Sequence, residues 1–337
     1  MKLPEFFGAI LTLGSALCAM GADPTMTAVR IHEFGGRDVL KVEQAPRPSP
    51  GTGEMLVRVH VAGVNPVDWK VRQSGGRMLN VKLPFTLGYD VSGVVEEMGE
   101  GVSQFKAGDE VFAYLSLSRG GGYAEYAIVK FDEAAKKPKN VSHVEAAGVP
   151  LAALTAWQAL FDTADLKEGQ TALVHAGAGG VGVFAVQLAK WKGARVIATA
   201  SKENHDFLKQ LGVDEVIDYK SQKFADVVKD VDVVLDSVGG QTTTDSFKVL
   251  KKGGILVSIV GPPSRKAADE AGVRAAAILV KPSGEQLAQI ARLIDEGKVK
   301  PVVGHVFPLA EVAKAHEQSE TGHTRGKIVL RVLDDSR

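Results

Sequence analysis

The run Gly177-Ala178-Gly179-Gly180-Val181-Gly182 constrains this chain more than any other stretch. It follows a short apolar segment, Thr171 to His175, and opens a helical pattern from Val181 to Lys190 in which Val181, Phe184, Ala185 and Leu188 share one face. Glycines at this spacing say little alone and gain meaning only between a strand and a helix. In that setting the first permits a sharp turn and the second lets backbone approach a pyrophosphate. The third lets the helix pack closely on the strand. The helix start also offers unpaired N–H groups and a positive dipole end to phosphate. A turn that serves packing only is the competing reading, and the surroundings disfavour it. Segments at Arg195–Thr199, Glu215–Ile217, Asp232–Asp236 and Gly254–Val260 have strand character, and helical patterns cover Asn204–Leu211 and Gly284–Glu296. This alternation predicts an α/β fold with a doubly wound parallel sheet.

The chain has 337 residues, which suits two domains better than one core. From Met26 to about Val129 the pattern is β-rich, with short strands such as Glu54–Val61 and Val91–Glu97 divided by Gly, Pro and Asp signals, as in a compact barrel or sandwich. It changes near Pro150, a residue suited to a first helical turn. Val302–Leu309 and Gly326–Val332 look β-like again. We therefore expect one domain from residues 26–149 and 300–337, interrupted by a nucleotide-binding domain at residues 150–299. Residues 1–25 stand apart: Lys2, an apolar run from Phe6 to Met20 and small residues near Gly21 resemble a secretory signal, whereas Met26 could open the first strand. The first reading implies a periplasmic or secreted protein and the second a cytoplasmic one. The apolar run is too short for a stable membrane span. Forty Lys plus Arg balance forty Asp plus Glu, which gives no support to nucleic-acid binding. The single cysteine, Cys18, rules out disulfides within the chain and any zinc site built on several thiolates.

A parallel sheet with this glycine turn implies a dinucleotide cofactor. An acidic residue for the adenosine ribose is expected about twenty residues after the glycines. The corresponding stretch is Ile197-Ala198-Thr199-Ala200-Ser201-Lys202, with no carboxylate before Glu203. A hydroxyl and an ammonium group suit a 2′-phosphate instead, which favours NADP(H) over NAD(H). Taken singly, Ser201 reads equally well as a helix cap and Lys202 as a solvated side chain.

Several separated segments then carry a resemblance: Ala62 to Lys70 (AGVNPVDWK), Pro84 to Val95, Phe105 to Phe112, Ala176 to Gly182, Leu211 to Tyr219, Asp236 to Gly240 and Arg325 to Leu330. In this order they resemble the zinc-free quinone oxidoreductase and enone (alkenal) reductase branch of the medium-chain dehydrogenase/reductase superfamily. The resemblance implies a GroES-like catalytic domain and a Rossmann-type nucleotide domain. Zinc-dependent relatives carry Cys and Gly-His-Glu ligands where this chain has Asn65 and Gly88-Tyr89-Asp90, so no metal site is expected. By resemblance, Ser201, Lys202 and Tyr219 lie near the adenosine phosphate, and Thr155, Ser237 and the turn Ser258-Ile259-Val260-Gly261 near the ribose, pyrophosphate or nicotinamide. Lys327 belongs to the stretch that closes over the cofactor; His323 stands where some relatives carry Arg. Asn65 and Lys70 are the catalytic candidates, as donors to the oxygen of a small enone, alkenal or quinone, with Asp68 and Asp90 ordering their loop. The expected activity is zinc-independent reduction by NADPH. The competing class is a nucleotide-binding redox sensor, or a structural or RNA-binding member, without turnover. Family habit implies a homodimer formed through the nucleotide-domain sheet.

Overall fold

The computed structural model describes residues 24–75 and 81–333. The signal-like segment up to residue 23, with Cys18, lies outside them. Among the described residues no helix is long and apolar enough to cross a membrane.

The first part of the chain forms strands β1 (Thr25–Ile31), β2 (Lys41–Pro46), β3 (Glu54–Val64), β4 (Phe85–Thr86), β5 (Asp90–Met98), β6 (Glu110–Tyr114), β7 (Tyr126–Lys130) and β8 (Ala134–Lys136). β2, β1 and β4 make a small sheet. The larger sheet is built on β3, the longest strand of the fold, which pairs antiparallel with β5 and β7. Its alternation of valines with Arg58 and His60 buries Met55, Val57, Val59 and Val61. The sequence also places β15 (Val303–Pro308) and β16 (Lys327–Arg331) in this sheet, β16 running antiparallel beside β3.

Between them lies a second unit: β9 (Thr171–Val174), β10 (Arg195–Ala200), β11 (Glu215–Asp218), β12 (Val231–Asp236), β13 (Leu250–Ser258) and β14 (Arg274–Ala277). All pairings are parallel, in the order β11-β10-β9-β12-β13-β14. The order reverses between β9 and β12, which is the Rossmann-type arrangement with its crevice at the carboxyl ends of those strands. β9 is buried beyond its first residue because helices cover both faces of the sheet.

Helix Pro150–Trp157 joins the two units. Pro150 occupies its first turn, and every residue from Ala152 to Trp157 is buried. It packs on β5 and β6 on one side and on helices Gly182–Trp191 and Gly284–Asp295 on the other. One hydrophobic cluster therefore runs continuously from Val29 to Leu330. A fully buried side chain there, such as Leu154, contributes about 1.5–3 kcal/mol.

Candidate functional site

The glycine run forms the bend from β9 into helix Gly182–Trp191. The left-handed residue of this bend is Ala176, with φ of 50°, rather than the first glycine. Gly177 is required instead by proximity, since a Cβ there would lie 2.8 Å from the Ala198 Cβ on β10. At Gly182 a Cβ would lie 2.3 Å from the Ala176 carbonyl oxygen, so the helix reaches the strand only because this position has no side chain. A methyl at Gly179 would lie 3.2 Å from the same oxygen, and one at Gly180 would lie 3.1 Å from Lys327 Cδ. Ala178 is buried, and its carbonyl accepts from the Gly326 N–H at 2.9 Å, tying the C-terminal stretch to the cradle.

The other cofactor candidates of the sheet line the same edge, because each follows the end of a strand. Ser201 follows β10, Tyr219 follows β11, Ser237 follows β12, and Ser258 ends β13 ahead of Ile259, Val260 and Gly261. Ser237 Oγ donates to the His175 carbonyl at 2.9 Å, bridging β12 to β9 at the reversal point. Ser258 is buried and accepts from the Val260 N–H at 3.3 Å, while Val260 and Tyr219 are exposed. Thr155 is buried and spends its hydroxyl on the Leu151 carbonyl at 2.7 Å.

Around the turn after β10, Ser201 is buried and Lys202 exposed. Glu203 faces the Lys220 ammonium at 3.5 Å. Arg325, which the sequence reading did not single out, reaches across from the C-terminal stretch. Its guanidinium donates to Asn204 Oδ1 at 2.6 Å and to the Glu203 carbonyl at 3.0 Å, and lies 5.1 Å from the Phe207 ring centroid. Its place two residues before Lys327, in a motif already noted, was the available signal. His323 is exposed and turned onto the Thr321 carbonyl.

A second group of polar side chains is buried where β3, β5 and β16 meet. Asn65 caps helix Pro66–Ser74, and Asp68 accepts from the Asn65 backbone N–H at 2.6 Å, closing a capping box. The Asn65 amide donates to Asp90 Oδ2 at 2.9 Å, and Asp90 Oδ1 accepts from the Leu151 N–H at 2.8 Å. Lys327, 4% exposed, donates from Nζ to the Val64 carbonyl at 3.1 Å and to Asn65 Oδ1, and lies 3.9 Å from Asp90 Oδ2. Its ammonium is thus turned toward β3 and β5, and its methylenes lie against Gly180 of the cradle.

Burial dominates the titration of this group. It pushes Asp68 up to about 7 and Asp90 up to about 6, against the pull of Lys327 and of the N–H donors on each. It pulls Lys327 below the usual ammonium range, and the two carboxyls oppose that shift. Tyr123, whose hydroxyl interacts with Asp68, is held protonated by burial. The same helix is fixed from behind by buried Arg72, which binds Glu320 at 2.7 Å and His316 Nδ1 at 2.9 Å. Arg can only donate, so His316 Nδ1 accepts; burial first, then Arg72, lowers this imidazole to about 3. Lys70 lies on the exposed side of that helix, its ammonium 5.5 Å from the Trp69 ring centroid. The structure therefore brings Asn65 and Lys327 together and leaves Lys70 apart from them.

These residues do not make a zinc site. Asn65 Oδ1 is taken by an ammonium, Tyr89 is a buried phenol that burial holds protonated, and Asp90 already bonds Asn65 and Leu151. Among the described residues no group of three or more His, Cys, Asp or Glu could hold a metal ion.

Comparison with known proteins agrees with this geometry. The alcohol dehydrogenase GroES-like domain matches residues 51–139 and the zinc-binding dehydrogenase domain residues 211–330. The mouse quinone oxidoreductase is 35% identical, covering 90% of this chain and 97% of that protein. The chain belongs to the zinc-free quinone oxidoreductase branch of the medium-chain dehydrogenase/reductase superfamily. A chloroplast envelope quinone oxidoreductase homolog of Arabidopsis thaliana is another superfamily relative, 37% identical over 92% of this chain and 99% of its own. Among solved members, the quinone oxidoreductase of Coxiella burnetii superimposes with a TM-score of 0.86 at 39% identity, over 92% of this chain and all of that one. A mycobacterial protein solved with NADPH gives 0.83 at 32% identity, over 91% of this chain and all of that one. The superfamily's fold, a GroES-like part with a Rossmann-type part, is thus the fold of this oxidoreductase.

Proposed function

We propose that this protein reduces a quinone, or the activated C=C bond of an enone or alkenal, with NADPH and without zinc. The observation that carries the cofactor choice is the end of β10. Ser201 and Lys202 stand there, Lys220 and Arg325 adjoin the same turn, and Glu203, the next carboxylate along the chain, faces Lys220, while Asp218 lies opposite Ala200 on β11. Cations gathered at this place favour a 2′-phosphate over a free hydroxyl. The glycine cradle fits a pyrophosphate, since its side-chain-free surface lies at the carboxyl edge of the sheet beside a helix start. The names of the relatives supply the acceptor class: quinone oxidoreductases and a mouse mitochondrial NAD(P)H oxidoreductase 37% identical to this chain.

A reduced nicotinamide held in that crevice would supply the hydride. The protein's part is to orient the acceptor and stabilise the charge that hydride addition leaves on its oxygen. Asn65 fills that role from the buried side; Lys70, exposed on the other side of the same helix beside Trp69, does not share that oxygen. The electron pair enters the acceptor carbon, and the balancing proton comes from water. A homodimer formed through the nucleotide-domain sheet, whose edge strands are β11 and β14, completes this reading.

The test is NADPH oxidation with a panel of quinones, enones and alkenals. Turnover above the cofactor-only rate is expected. Tight NADPH binding with no turnover on any of them would favour a redox sensor instead.

A further inference from the structure

We propose that Lys327 is a positioning residue for this reduction: its ammonium acts as a fixed cation that locks the Asn65 amide in one orientation and polarises it toward the hydride acceptor. The inference rests on the reductase reading above.

The argument begins with what each group can do. An ammonium only donates, so the atom of Asn65 that meets Lys327 must be Oδ1. An ionised carboxylate only accepts, so the atom that meets Asp90 Oδ2 at 2.9 Å must be Nδ2. Flipping the amide would set N–H against ammonium and carbonyl oxygen against carboxylate, two repulsive contacts in place of two attractive ones. The pair of neighbours therefore leaves one amide orientation. The Asn65 main-chain N–H is also committed, to Asp68 at 2.6 Å. Asp90 takes one of the two amide hydrogens on Nδ2; Asn65 is 1% exposed, so the acceptor oxygen must reach the second hydrogen inside the seam between the two parts of the fold.

The location agrees with this use. Lys327 spans the seam between the two parts of the fold: its stem touches Gly180 of the phosphate cradle and its head touches Asn65. Asn65 thus lies one lysine side chain away from the cradle. The neighbouring Gly326 N–H, on the Ala178 carbonyl at 2.9 Å, holds that seam shut. Packing alone does not account for a lysine here. Burying an ammonium carries a desolvation penalty that an apolar side chain of similar length avoids, so a charge at this position calls for a use. The use is electronic. A cation on the amide oxygen draws electron density from nitrogen, so the remaining N–H donates more strongly to an oxygen that gains negative charge.

The experiment uses the full chain and four variants, Lys327→Met, Lys327→Arg, Asn65→Asp and the double variant Lys327→Met with Asn65→Asp. NADPH affinity is read by fluorescence titration and kcat and KM with 1,4-naphthoquinone and trans-2-hexenal. Zinc content is read by elemental analysis. Asn65→Asp keeps a partner for Lys327 and removes the N–H, so kcat should fall roughly 100-fold with NADPH affinity within about threefold of the parent. Lys327→Met should lower kcat at least about tenfold, Lys327→Arg should restore part of the loss, and the double variant should be no worse than Asn65→Asp. Parental kcat in either Lys327→Met or Asn65→Asp overturns the proposal, as does stoichiometric zinc whose removal abolishes activity. If Lys327→Met does not fold, Asn65→Asp and Lys327→Arg still decide it. A parent chain that binds no NADPH overturns the reductase reading as well, whereas an active parent with unaffected variants overturns this proposal alone.

Discussion

Replacing Gly182 with Ala tests whether the cradle is built by close approach. The added Cβ would sit 2.3 Å from the Ala176 carbonyl oxygen and 2.7 Å from the Gly177 carbonyl group, about 1 Å short of ordinary contact. Both obstacles are backbone in the bend itself, and Ala176 already holds a left-handed conformation, so neither can rotate away as a side chain would. Relief requires moving the start of the helix off β9, at a cost of about 1–3 kcal/mol for overpacking. That displacement shifts the N–H groups that face the phosphates, so NADPH affinity should fall roughly 5- to 150-fold, the same energy read as binding. Gly179→Ala is the control. Its Cβ meets one atom at 3.2 Å, so the melting temperature should barely move, while a methyl on the phosphate-facing surface still weakens NADPH. Thermal melts and fluorescence titrations of the three proteins give the answer. A Gly182→Ala protein with parental melting and parental affinity would refute the reasoning.

Lys202→Glu should raise KM for NADPH at least about tenfold with little change for NADH, since only the former carries the extra phosphate; equal effects on both would remove Lys202 from the phosphate site. Lys70→Met should leave kcat on enals and NADPH affinity near the parental values, because the side chain stands on the exposed side of its helix; a several-fold fall in kcat would return it to the mechanism. Asp68→Asn should stabilise the protein more at high pH than at low pH. Burial raises the folded carboxyl to about 7, above its unfolded value, so its stabilising contribution is full at low pH and is lost as pH rises through 7. Asn does not ionise, so the variant should gain up to about 4 kcal/mol over the parent between about pH 4 and about pH 7, and little more above that. A melting difference that is flat across that range would contradict it.

The parallel sheet was legible because its strands are apolar runs separated by helical periods, a pattern that buried β9 and β12 must show. β14 was not, since Arg274-Ala-Ala-Ala277 lies at the sheet edge and lacks the branched residues that mark a strand. β2 escaped for a similar reason: its residues are largely exposed and end in Pro46. The glycine cradle could be read from spacing, although the residue that turns left-handed is Ala176, which no glycine rule would select. Asp68 and Asp90 do order the loop that carries Asn65, as the sequence suggested. The contact between Lys327 and Asn65 was beyond reach, because the partners lie 262 residues apart and meet only once β16 pairs with β3. Lys70, equally prominent in the motif, points to solvent because the helical period turns it away from the face that buries Asp68 and Val71.

Calorimetric titration of the purified protein with NADPH and with NADH tests the central claim most directly. The account predicts one NADPH per chain, bound at least about tenfold more tightly than NADH by virtue of one additional phosphate contact. Absence of binding heat for both nucleotides, or tighter binding of NADH, would contradict it.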